Sequence, residues 1–439
     1  MFGTSGIRGP VGELVTGTLA LDVGRAVGSM ADRVVVGRDA RKSGGALARA
    51  TVAGLQEAGS DVVSLGVEST PTVARSVDWY DADAGVVVTA SHNPPADNGF
   101  KFWTRADGAF DADRNETVAR RVDESGTVTV PPDEMGTVQR VGDASRRHLD
   151  HLPDGDLAPL SVVVDVGNGT GGLTADALLE LGCDVTTIDA QRDGSFPGRP
   201  SEPTADNCTV LPGVVTDTGA DVGVAHDGDA DRMMAVDETG RFVSGDELLA
   251  LFALETPPAD AAVAAPINAS TLVDAVVADA GGSVVRTAVG DGNVAAACAA
   301  SGAVFGGEPS GAWIWPGETL VPDGHYAACR LAEIVATGDA LSKRLDAFPQ
   351  FVTKRDSFRC EDGPAAVDHV ASQVRDRYGD VTDIDGVRVD LDDGWFLVRA
   401  SGTQPLLRVT AEADTDARAA DILAEATALA RDAIDSTRD

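Results

Sequence analysis

Short apolar runs alternate with stretches of helical periodicity along the first part of the chain. Residues 33–37, 61–65 and 85–88 are apolar runs of the length expected for buried strands. Between them, apolar positions recur every three or four residues over 45–58, and Thr70-Pro71 is a helix-start signal. The order βαβαβ predicts a mixed or parallel sheet covered by helices.

The same alternation predicts two further α/β segments. Strands of the second segment are expected at residues 161–165, 185–188 and 221–226. Strands of the third are expected at residues 262–265, 284–286 and 303–305. The glycine-rich turn at 167–172 does not have the G-x-G-x-x-G order of a dinucleotide-binding loop, so it predicts an ordinary strand-to-helix turn.

The last part of the chain has a different pattern. Strand-like runs at 386–391, 395–399 and 406–412 lie close together, and an alanine-rich helical stretch follows over 415–433. Short links between strands are typical of an antiparallel sheet, so this part predicts an α+β domain. A chain of 439 residues is also too long to fold around one hydrophobic core of ordinary size. We therefore predict three similar mixed-sheet α/β domains plus a C-terminal α+β domain, with boundaries at 1–155, 156–256, 257–350 and 351–439.

The charge of the chain limits its partners. Asp and Glu number 70 against 35 Lys and Arg, a formal net charge of −35. Such a surface repels polyanions, so we expect no affinity for nucleic acid or an anionic membrane. Acidic surfaces that are poor in lysine suit concentrated salt, where carboxylates keep a protein hydrated and salt screens their repulsion. We therefore expect a halophilic source.

Cysteines and apolar runs indicate the compartment. The five cysteines are odd in number, widely spaced and never arranged as Cys-x-x-Cys, which is typical of reduced thiols in a cytosol. No basic and apolar signal peptide opens the chain, and no uncharged apolar run approaches the length of a membrane span. We expect a soluble cytoplasmic protein.

Residues 89–101, TASHNPPADNGFK, place a serine just after the strand expected at 85–88. Ser91 should therefore be presented at a loop that the two prolines stiffen. The pair Asn98-Gly99 predicts a turn that brings Lys101 back towards Ser91. One hydroxyl and one cation on a rigid loop suit phosphate chemistry.

His92 directly follows Ser91 and invites a Ser-His pairing. Adjacent residues on an extended segment point to opposite sides, so we expect His92 to shape the loop and not to contact Ser91. Taken alone, the whole stretch also has the composition of a surface turn. Its interpretation depends on other motifs in the chain.

The motif DGDADR begins at Asp227, directly after an expected strand. Asp227, Asp229 and Asp231 can converge on one hard cation, and oxygen ligands favour Mg²⁺ or Ca²⁺ over zinc. An EF-hand fits poorly, because Arg232 occupies the position that needs glycine and a strand precedes the loop. A phosphatase with Asp227 as nucleophile would leave Ser91 unused. A solvated acidic turn remains the structural alternative.

Two glycine-containing loops carry further polar groups. Residues 305–311, FGGEPSG, offer Glu308 and Ser310, which can accept from and donate to neighbouring sugar hydroxyls. We expect this loop to expose both side chains. Residues 399–408, RASGTQPLLR, place two guanidiniums, two hydroxyls and backbone N–H groups around one loop, which suits a phosphate dianion. Taken alone, the loop that contains Glu308 is more typical of an ordinary turn.

Together these motifs resemble the α-D-phosphohexomutases, and the resemblance runs from Phe2 to about Glu412. Members of that family carry, in this order, a T-A-S-H-N-P phosphoserine loop, a D-G-D-x-D-R metal loop, a G-E-x-S-G sugar loop and an R-x-S-G-T phosphate loop. The opening FGTSGIRG also resembles the family's N-terminal signature, whose arginine is Arg8 here. The resemblance implies four domains around a central cleft and an enzyme that acts on hexose monophosphates through a bisphosphate.

The resemblance also implies a role for each motif. Ser91 would carry the phosphoryl group, and Lys101 and Arg8 would add positive charge beside it. The implied ligands of a Mg²⁺ cofactor are Ser91, Asp227, Asp229 and Asp231. The implied substrate ligands are Glu308 and Ser310 for sugar hydroxyls, and Arg399, Ser401, Gly402, Thr403 and Arg408 for the phosphate that does not react.

Within the family, the opening segment and the Ser-Gly end of the sugar loop most resemble phosphoglucosamine mutases of archaeal type. This implies conversion of glucosamine 6-phosphate to glucosamine 1-phosphate. A phosphomannomutase/phosphoglucomutase, or a broader archaeal phosphosugar mutase, is the alternative because of Pro309 and Ala312. A sugar-phosphate binding protein without catalysis is a further alternative, against which the intact Ser91 speaks.

One departure from the family concerns proton transfer. Ala312 follows the sugar loop where many relatives have histidine, so an acid or base role falls to another group. Lys101 and His325 are the candidates. The sequence leaves a monomer and a homodimer both open.

Overall fold

The computed structural model describes residues 2–3, 6–105, 108–123, 129–256, 261–375, 377–379, 381–401 and 405–437. It divides into two compact units. The first unit runs up to Leu248 and includes Pro309–Leu345, and the second contains Leu249–Glu308 and the chain from Asp346 onward.

The first sheet has seven strands in the order β1-β2-β6-β5-β3-β4-β7. The strands are β1 (Phe2–Gly3), β2 (Gly6–Pro10), β3 (Arg33–Arg38), β4 (Asp61–Val67), β5 (Ala84–Val88), β6 (Asp97–Thr104) and β7 (Val138–Arg140). The helices are α1 (Gly17–Gly28), α2 (Gly44–Glu57), α3 (Thr70–Trp79), α4 (Ala112–Asp123) and α5 (Ala144–Leu149). β3 pairs parallel with β4 and β5, whereas β6 pairs antiparallel with β2 and β5. The predicted mixed sheet is confirmed.

Local sequence explains why α3 begins where it does. Ser69 has extended backbone angles, and its hydroxyl accepts from the Thr72 N–H, while Pro71 occupies the first turn. These are the two signals that favour a helix start. The start of α3 matters because it contacts the candidate site.

The turn predicted at Asn98-Gly99 is wrong. Both residues lie within β6, and the Cα of Gly99 faces that of Arg8 in β2. A Cβ on Gly99 would lie 1.9 Å from the Ile7 carbonyl oxygen, so glycine here permits close strand approach instead of a turn. Lys101 returns beside β5 because β5 and β6 pair antiparallel, with Lys101 facing Val87.

The second sheet has the order β11-β10-β8-β9. Its elements are β8 (Ser161–Asp165), α6 (Gly172–Glu180), β9 (Asp184–Ile188), α7 (Leu211–Thr218), β10 (Val222–His226) and β11 (Met233–Asp237), followed by α8 (Gly245–Glu255). β10 is buried throughout and pairs parallel with β8 but antiparallel with β11. The DGDADR motif therefore occupies the tight connection between two neighbouring buried strands.

In the second unit, β12 pairs parallel with β13 and with β14. The elements are β12 (Ala262–Pro266), α9 (Thr271–Asp279), β13 (Ser283–Thr287), α10 (Asp291–Ser301) and β14 (Phe305–Glu308). The strand predicted to end at residue 305 begins there, so Glu308 is its last residue. The chain then returns to the first unit with β15 (Ala312–Ile314), α11 (Gly324–Thr337) and α12 (Leu341–Asp346).

The C-terminal sheet is antiparallel in the order β16-β20-β19-β18-β17. Its elements are β16 (Val352–Arg359), α13 (Gly363–Arg375), β17 (Val381–Thr382), β18 (Val387–Leu391), β19 (Gly394–Ala400), β20 (Leu406–Ala413) and α14 (Asp416–Ser436). Alanines and Ile422 of α14 pack against Phe396, Val398 and Val409 in one core. The predicted α+β domain is confirmed.

All five cysteines are buried. In the described part of the chain, no helix combines the length and apolar character that a membrane span requires.

Candidate active site

Ser91 lies just beyond β5 in a strained turn. Its φ is 50°, and the residue is 1 % exposed. The Ser91 N–H donates to Thr89 Oγ1 at 2.8 Å, and Ser91 Oγ donates to Asp227 Oδ2 at 2.6 Å. A non-glycine residue with positive φ persists where the surroundings fix it, which is common at functional sites. The structure thus brings Ser91 and Asp227 together.

His92 lies closer to Ser91 than the sequence predicted. Its Nδ1 is 3.3 Å from Ser91 Oγ. The prediction that the two side chains point apart is wrong, because the positive φ of Ser91 breaks the alternation of an extended segment. The cation Arg232, then burial, then Arg8 and Lys101 lower the pKa of His92 to about 2. The imidazole is therefore neutral at physiological pH.

Arg41 holds the backbone around Ser91, a role that the sequence did not reveal. Its side chain is fully buried, and its Nε donates to Asp39 Oδ2 at 3.0 Å. Its two terminal nitrogens donate, at 2.6–2.9 Å, to the carbonyl oxygens of Ser91, Asn93, Pro94 and Asp97. One guanidinium thus fixes four carbonyl groups of the Ser91 loop. The available signal was its position shortly after β3, at the sheet end where sites of α/β folds collect.

Asp227, Asp229 and Asp231 form one buried cluster. Their ligand oxygens lie within 4.8 Å of one another, and the residues are at most 4 % exposed. Asp229 Oδ1 is buried without a hydrogen-bond partner. An unpaired buried carboxylate oxygen is costly unless a cation or a donor meets it. The cluster therefore fits a metal ion that prefers oxygen ligands.

Backbone geometry explains how this cluster reaches Ser91. A Cβ on Gly228 would lie 2.9 Å from the Ser91 carbonyl oxygen, so the glycine of DGDADR allows close approach. Ala230 has a φ of 56°, which turns the loop back towards β11. Gly228 and Ala230 thus shape the turn, while the aspartates on either side of them supply the carboxylates.

Lys101 bridges two of the three carboxylates. Its Nζ donates to Asp229 Oδ2 at 2.8 Å and also to Asp231. Burial alone would lower the pKa of Lys101, but Asp229 and Asp231 outweigh it and raise the pKa. Burial, with Asp229 and Asp231, raises the pKa of Asp227 well above its usual range. Asp229 and Asp231 therefore favour the protonated form of Lys101.

Arg8 lies on β2, directly opposite Gly99 of β6, and is half-buried. Its charge contributes to the lowered pKa of His92 and, at Lys101, opposes the larger effect of Asp229 and Asp231 that raises the pKa. The structure therefore places Arg8 within electrostatic reach of the Ser91 loop and of the Lys101 ammonium.

Thr70 and Thr89 hold Asp229, and the sequence indicated neither role. Thr70 Oγ1 donates to Asp229 Oδ2 at 2.5 Å, and Thr89 Oγ1 donates to the same oxygen at 3.1 Å. The Thr70 N–H also donates to the Asp229 carbonyl oxygen at 2.9 Å. The beginning of α3 therefore fixes both the side chain and the backbone of the middle aspartate.

A buried histidine cluster lies next to the DGDADR loop and supports it. His148 Nε2 lies 2.9 Å from Asp323 Oδ2, and the Gly324 N–H donates to the Ala230 carbonyl oxygen at 3.2 Å. His325 is fully buried, with Nδ1 2.8 Å from Thr174 Oγ1. Burial first, and then His148, lowers the pKa of His325 well below its usual value. Full burial argues against His325 as the proton-transfer group.

Ser310 belongs to the first unit and is half-buried. Glu308, in the second unit, is only 8 % exposed, and its Oε1 accepts from the Gly290 N–H at 2.7 Å. The expectation that Glu308 is exposed on a loop is therefore wrong, because the strand continues to this residue.

Arg399 and Arg408 are brought together in the second unit. Their Cα atoms face each other across β19 and β20. Arg399 Nη1 lies 3.2 Å from Asp385 Oδ2, and Arg408 is exposed. Ser401 follows β19, and its N–H donates to the Leu406 carbonyl oxygen at 2.8 Å. Gly402 and Thr403 lie outside the described residues.

Four domain models of one known protein family match successive parts of the chain. The phosphoglucomutase/phosphomannomutase α/β/α domains I, II and III match residues 1–128, 147–240 and 244–351, and the C-terminal domain of that family matches 357–429.

Curated relatives cover almost the whole chain. A probable phosphoglucosamine mutase of Methanosarcina barkeri is 44 % identical over 418 residues, covering 94 % of this chain and 95 % of the relative. One of Methanopyrus kandleri is 42 % identical over 450 residues, covering 100 % and 99 %. A crystal structure of a phosphoglucomutase/phosphomannomutase family protein from Burkholderia thailandensis has a TM-score of 0.87 at 29 % identity, covering 98 % and 97 % of the two chains. The chain therefore belongs to the phosphoglucomutase/phosphomannomutase family of α-D-phosphohexomutases.

Proposed function

We propose that this chain interconverts hexose 6-phosphates and hexose 1-phosphates through a phosphoserine at Ser91, with glucosamine phosphate as its substrate. One observation carries the mechanism: Ser91 Oγ lies 2.6 Å from Asp227 Oδ2, at a buried cluster of three carboxylates and Lys101. A binding protein needs no hydroxyl at such a cluster. The relatives at 42 % and 44 % identity, both named for glucosamine phosphate, support the substrate.

The metal is proposed to be Mg²⁺. Asp227, Asp229 and Asp231, together with the phosphate on Ser91, would hold it, and the unpartnered Oδ1 of Asp229 supports this assignment. When bound, the ion offsets charge on the phosphoryl group during transfer. Lys101 and Arg8 supply fixed positive charge to the same phosphate, because the pKa of Lys101 is raised and a guanidinium is always protonated.

The reaction has two phosphoryl transfers. In the first, the bond from Ser91 Oγ to phosphorus breaks, the free hydroxyl oxygen of the sugar phosphate bonds to phosphorus, and the proton lost by that hydroxyl is balanced by one gained at Ser91 Oγ, which ends as the hydroxyl that donates to Asp227 Oδ2; the product is a bisphosphate. After the sugar turns over, the bond from its other phosphate to the sugar oxygen breaks, Ser91 Oγ bonds to that phosphorus, and the proton of Ser91 is balanced by one gained at the sugar oxygen. Arg41 keeps the loop in place during both transfers through its four bonds to loop carbonyls.

The nonreacting phosphate needs a separate group of ligands. Arg399 and Arg408 suit it, since cross-strand guanidiniums can bind a phosphate with several charge-assisted bonds. Ser401, Gly402 and Thr403 add donors from the same loop, while Glu308 and Ser310 would bind sugar hydroxyls.

A comparison of kcat/KM for glucosamine, glucose and mannose 1-phosphates, combined with intact-mass measurement, tests the proposal. We expect a preference of about tenfold or more for glucosamine 1-phosphate, and one phosphate on the protein that mixing with substrate removes. Ser91→Ala should lack this phosphate and lose activity on the order of 10³-fold or more.

Ser145→Ala, which removes a hydroxyl bonded to Glu68, is the matched control and should remain active. Near-normal activity of Ser91→Ala would end the phosphoserine mechanism. A preference for glucose or mannose 1-phosphate would keep the mechanism and replace the substrate.

A further inference from the structure

A cleft in the first unit is lined by none of the residues assigned to catalysis. It encloses about 580 Å³ between α2 and the β4 and β7 strands. Ligand pockets in proteins span roughly 300–1,000 Å³. We call it the arginine cleft, because its charged lining residues are Arg38, Arg49 and Arg140.

The side chains of Arg38 and Arg49 lie close together, and Arg140 lines the same cleft. A Cβ on Gly45 would lie 3.6 Å from Arg49 Nη1 and 3.9 Å from Arg38 Nη2, so these guanidiniums meet around one point. Arg140 ends β7, in register with Ser64 of β4. No ion pair joins Arg38, Arg49 or Arg140 to a carboxylate of the residues that the structure describes.

Several other arginines of the first unit, among them Arg25, Arg105 and Arg146, have carboxylate partners in this chain of 70 acidic and 35 basic residues. Burial lowers the pKa of Arg38, and the cations Arg49 and Arg192 lower it further. Asp39 has the opposite effect. Like charges held together repel, so a bound anion would stabilise the cluster.

The remaining lining indicates what the anion is attached to. Val36, Ala48, Val52 and Val138 form apolar walls, and Gln56 and Ser64 add polar groups. Val138 is 39 % exposed. A free inorganic anion would leave these apolar walls unused, whereas an organic body would cover them.

We propose that the arginine cleft binds a small organic phosphate, with its phosphate on the guanidiniums and a ring or other apolar body against the valines. Arginine suits phosphate because its planar fork donates two parallel hydrogen bonds. The arginine cleft does not include Ser91, but it adjoins the residues that hold the Ser91 backbone. Arg38 Nη1 donates to the Asp39 carbonyl oxygen at 3.0 Å, and the Asp39 carboxylate accepts from Arg41.

Phenyl phosphate is a suitable probe, because it joins a phosphate to a ring and carries no sugar. Calorimetric titration of the full-length protein, at one fixed ionic strength, should give tighter binding of phenyl phosphate than of inorganic phosphate. The variant R49Q/R140Q changes two exposed arginines and leaves Arg38 with its Asp39 contact. It should weaken phenyl phosphate binding about tenfold or more, since charge-assisted bonds are lost.

R105Q/R146Q is the matched control, because it removes the same charge from paired, exposed arginines of the same unit. It should bind phenyl phosphate as the wild type does. R49K/R140K, which keeps the charge, should fall between wild type and R49Q/R140Q. Unchanged binding by R49Q/R140Q, or equal losses in the control, would overturn the proposal. So would a parallel rise in the KM for hexose phosphate in R49Q/R140Q, since the probe would then occupy the catalytic site.

Discussion

At the scale of single residues, the candidate site depends on groups that hold Ser91 as much as on Ser91 itself. The positive φ of Ser91 is a strained conformation. Its carbonyl oxygen accepts from Arg41 Nη2 and from Ser201 Oγ, each at 2.8 Å. The turn interrupts the strand pairing, and these two bonds hold the Ser91 backbone in its place. They therefore set the direction of the Ser91 hydroxyl.

Arg41→Lys should separate positioning from folding. Lysine keeps the charge beside Asp39 but cannot reach four carbonyl oxygens with a planar fork. We expect kcat to fall about 10²-fold with little change in KM, because a small misplacement of the reacting group has that effect. The fraction of protein carrying phosphate, measured by intact mass, should fall with kcat.

Arg25→Lys is the control for Arg41→Lys, since Arg25 pairs with Asp22 and Glu57 on the helices of the same unit. It should leave kcat and phosphorylation unchanged. If Arg41→Lys only lowered the melting temperature, with kcat per folded molecule intact, Arg41 would be a structural residue and not a positioning one.

Residue chemistry decided which of these groups the sequence could reveal. Asp227, Asp229 and Asp231 stand in one short motif, so their convergence was predictable from spacing. Arg41 was not, because its acceptors are backbone carbonyls placed only by the tertiary fold.

At the scale of elements, buried histidines link α5, α11 and the end of β10. His148 on α5 lies 2.9 Å from Asp323, which caps α11 through the His325 and Tyr326 N–H groups. The rings of His148 and His325 lie 5.4 Å apart, and those of His226 and His325 lie 5.5 Å apart. The cluster therefore joins three elements through polar and ring contacts.

This cluster should make stability depend on pH. Burial first, against the opposing effect of Asp323, lowers the pKa of His148 below the ordinary 6.5, and burial likewise lowers that of His325. The folded state thus keeps both rings neutral, while the unfolded chain takes up protons below about pH 6.5. The free energy of unfolding should fall as pH falls from 6.5, by up to about 1.4 kcal/mol per pH unit for each such histidine, and His226 and His92, whose pKa values are also lowered, add to this fall.

His148→Gln tests this pH dependence, because the amide can still donate to Asp323 but does not titrate. Denaturant unfolding between pH 7 and 5 should show a slope smaller than that of the wild type by up to about 1.4 kcal/mol per pH unit, the contribution of one histidine. His151→Gln, which removes an exposed histidine of the same region, is the control. Equal slopes in wild type and His148→Gln would contradict the assignment of the effect to this cluster.

Element prediction succeeded where apolar runs are continuous and failed where pairing is long-range. The strand at Ala84–Val88 is buried at every position, and such a run has one clear interpretation. Asn98-Gly99 has turn composition but lies in β6, because close approach of β2 requires glycine there. Local composition cannot distinguish these two uses of glycine.

At the scale of the whole molecule, the succession of sheets followed from the order of strand-like and helix-like stretches. The C-terminal change from parallel to antiparallel pairing was predictable from the short links between β18, β19 and β20. The return of Pro309–Leu345 to the first unit was not, because no local pattern distinguishes a strand that joins its own segment from one that leaves it.

The excess of acidic side chains should make the stability of the whole molecule depend on salt. The formal charge of −35 produces repulsion that water alone screens poorly, and the Debye length falls from about 10 Å at 0.1 M to about 3 Å at 1 M salt. We expect the melting temperature, followed by circular dichroism, to rise by roughly 3–5 °C between ~0.1 M and ~3 M KCl, because each kcal/mol of relieved repulsion shifts the melting temperature of a chain of this length by about 1 °C. Most of the gain should come below 1 M, where screening changes most. Equal melting temperatures in low and multimolar salt would show that the acidic surface is not an adaptation to salt.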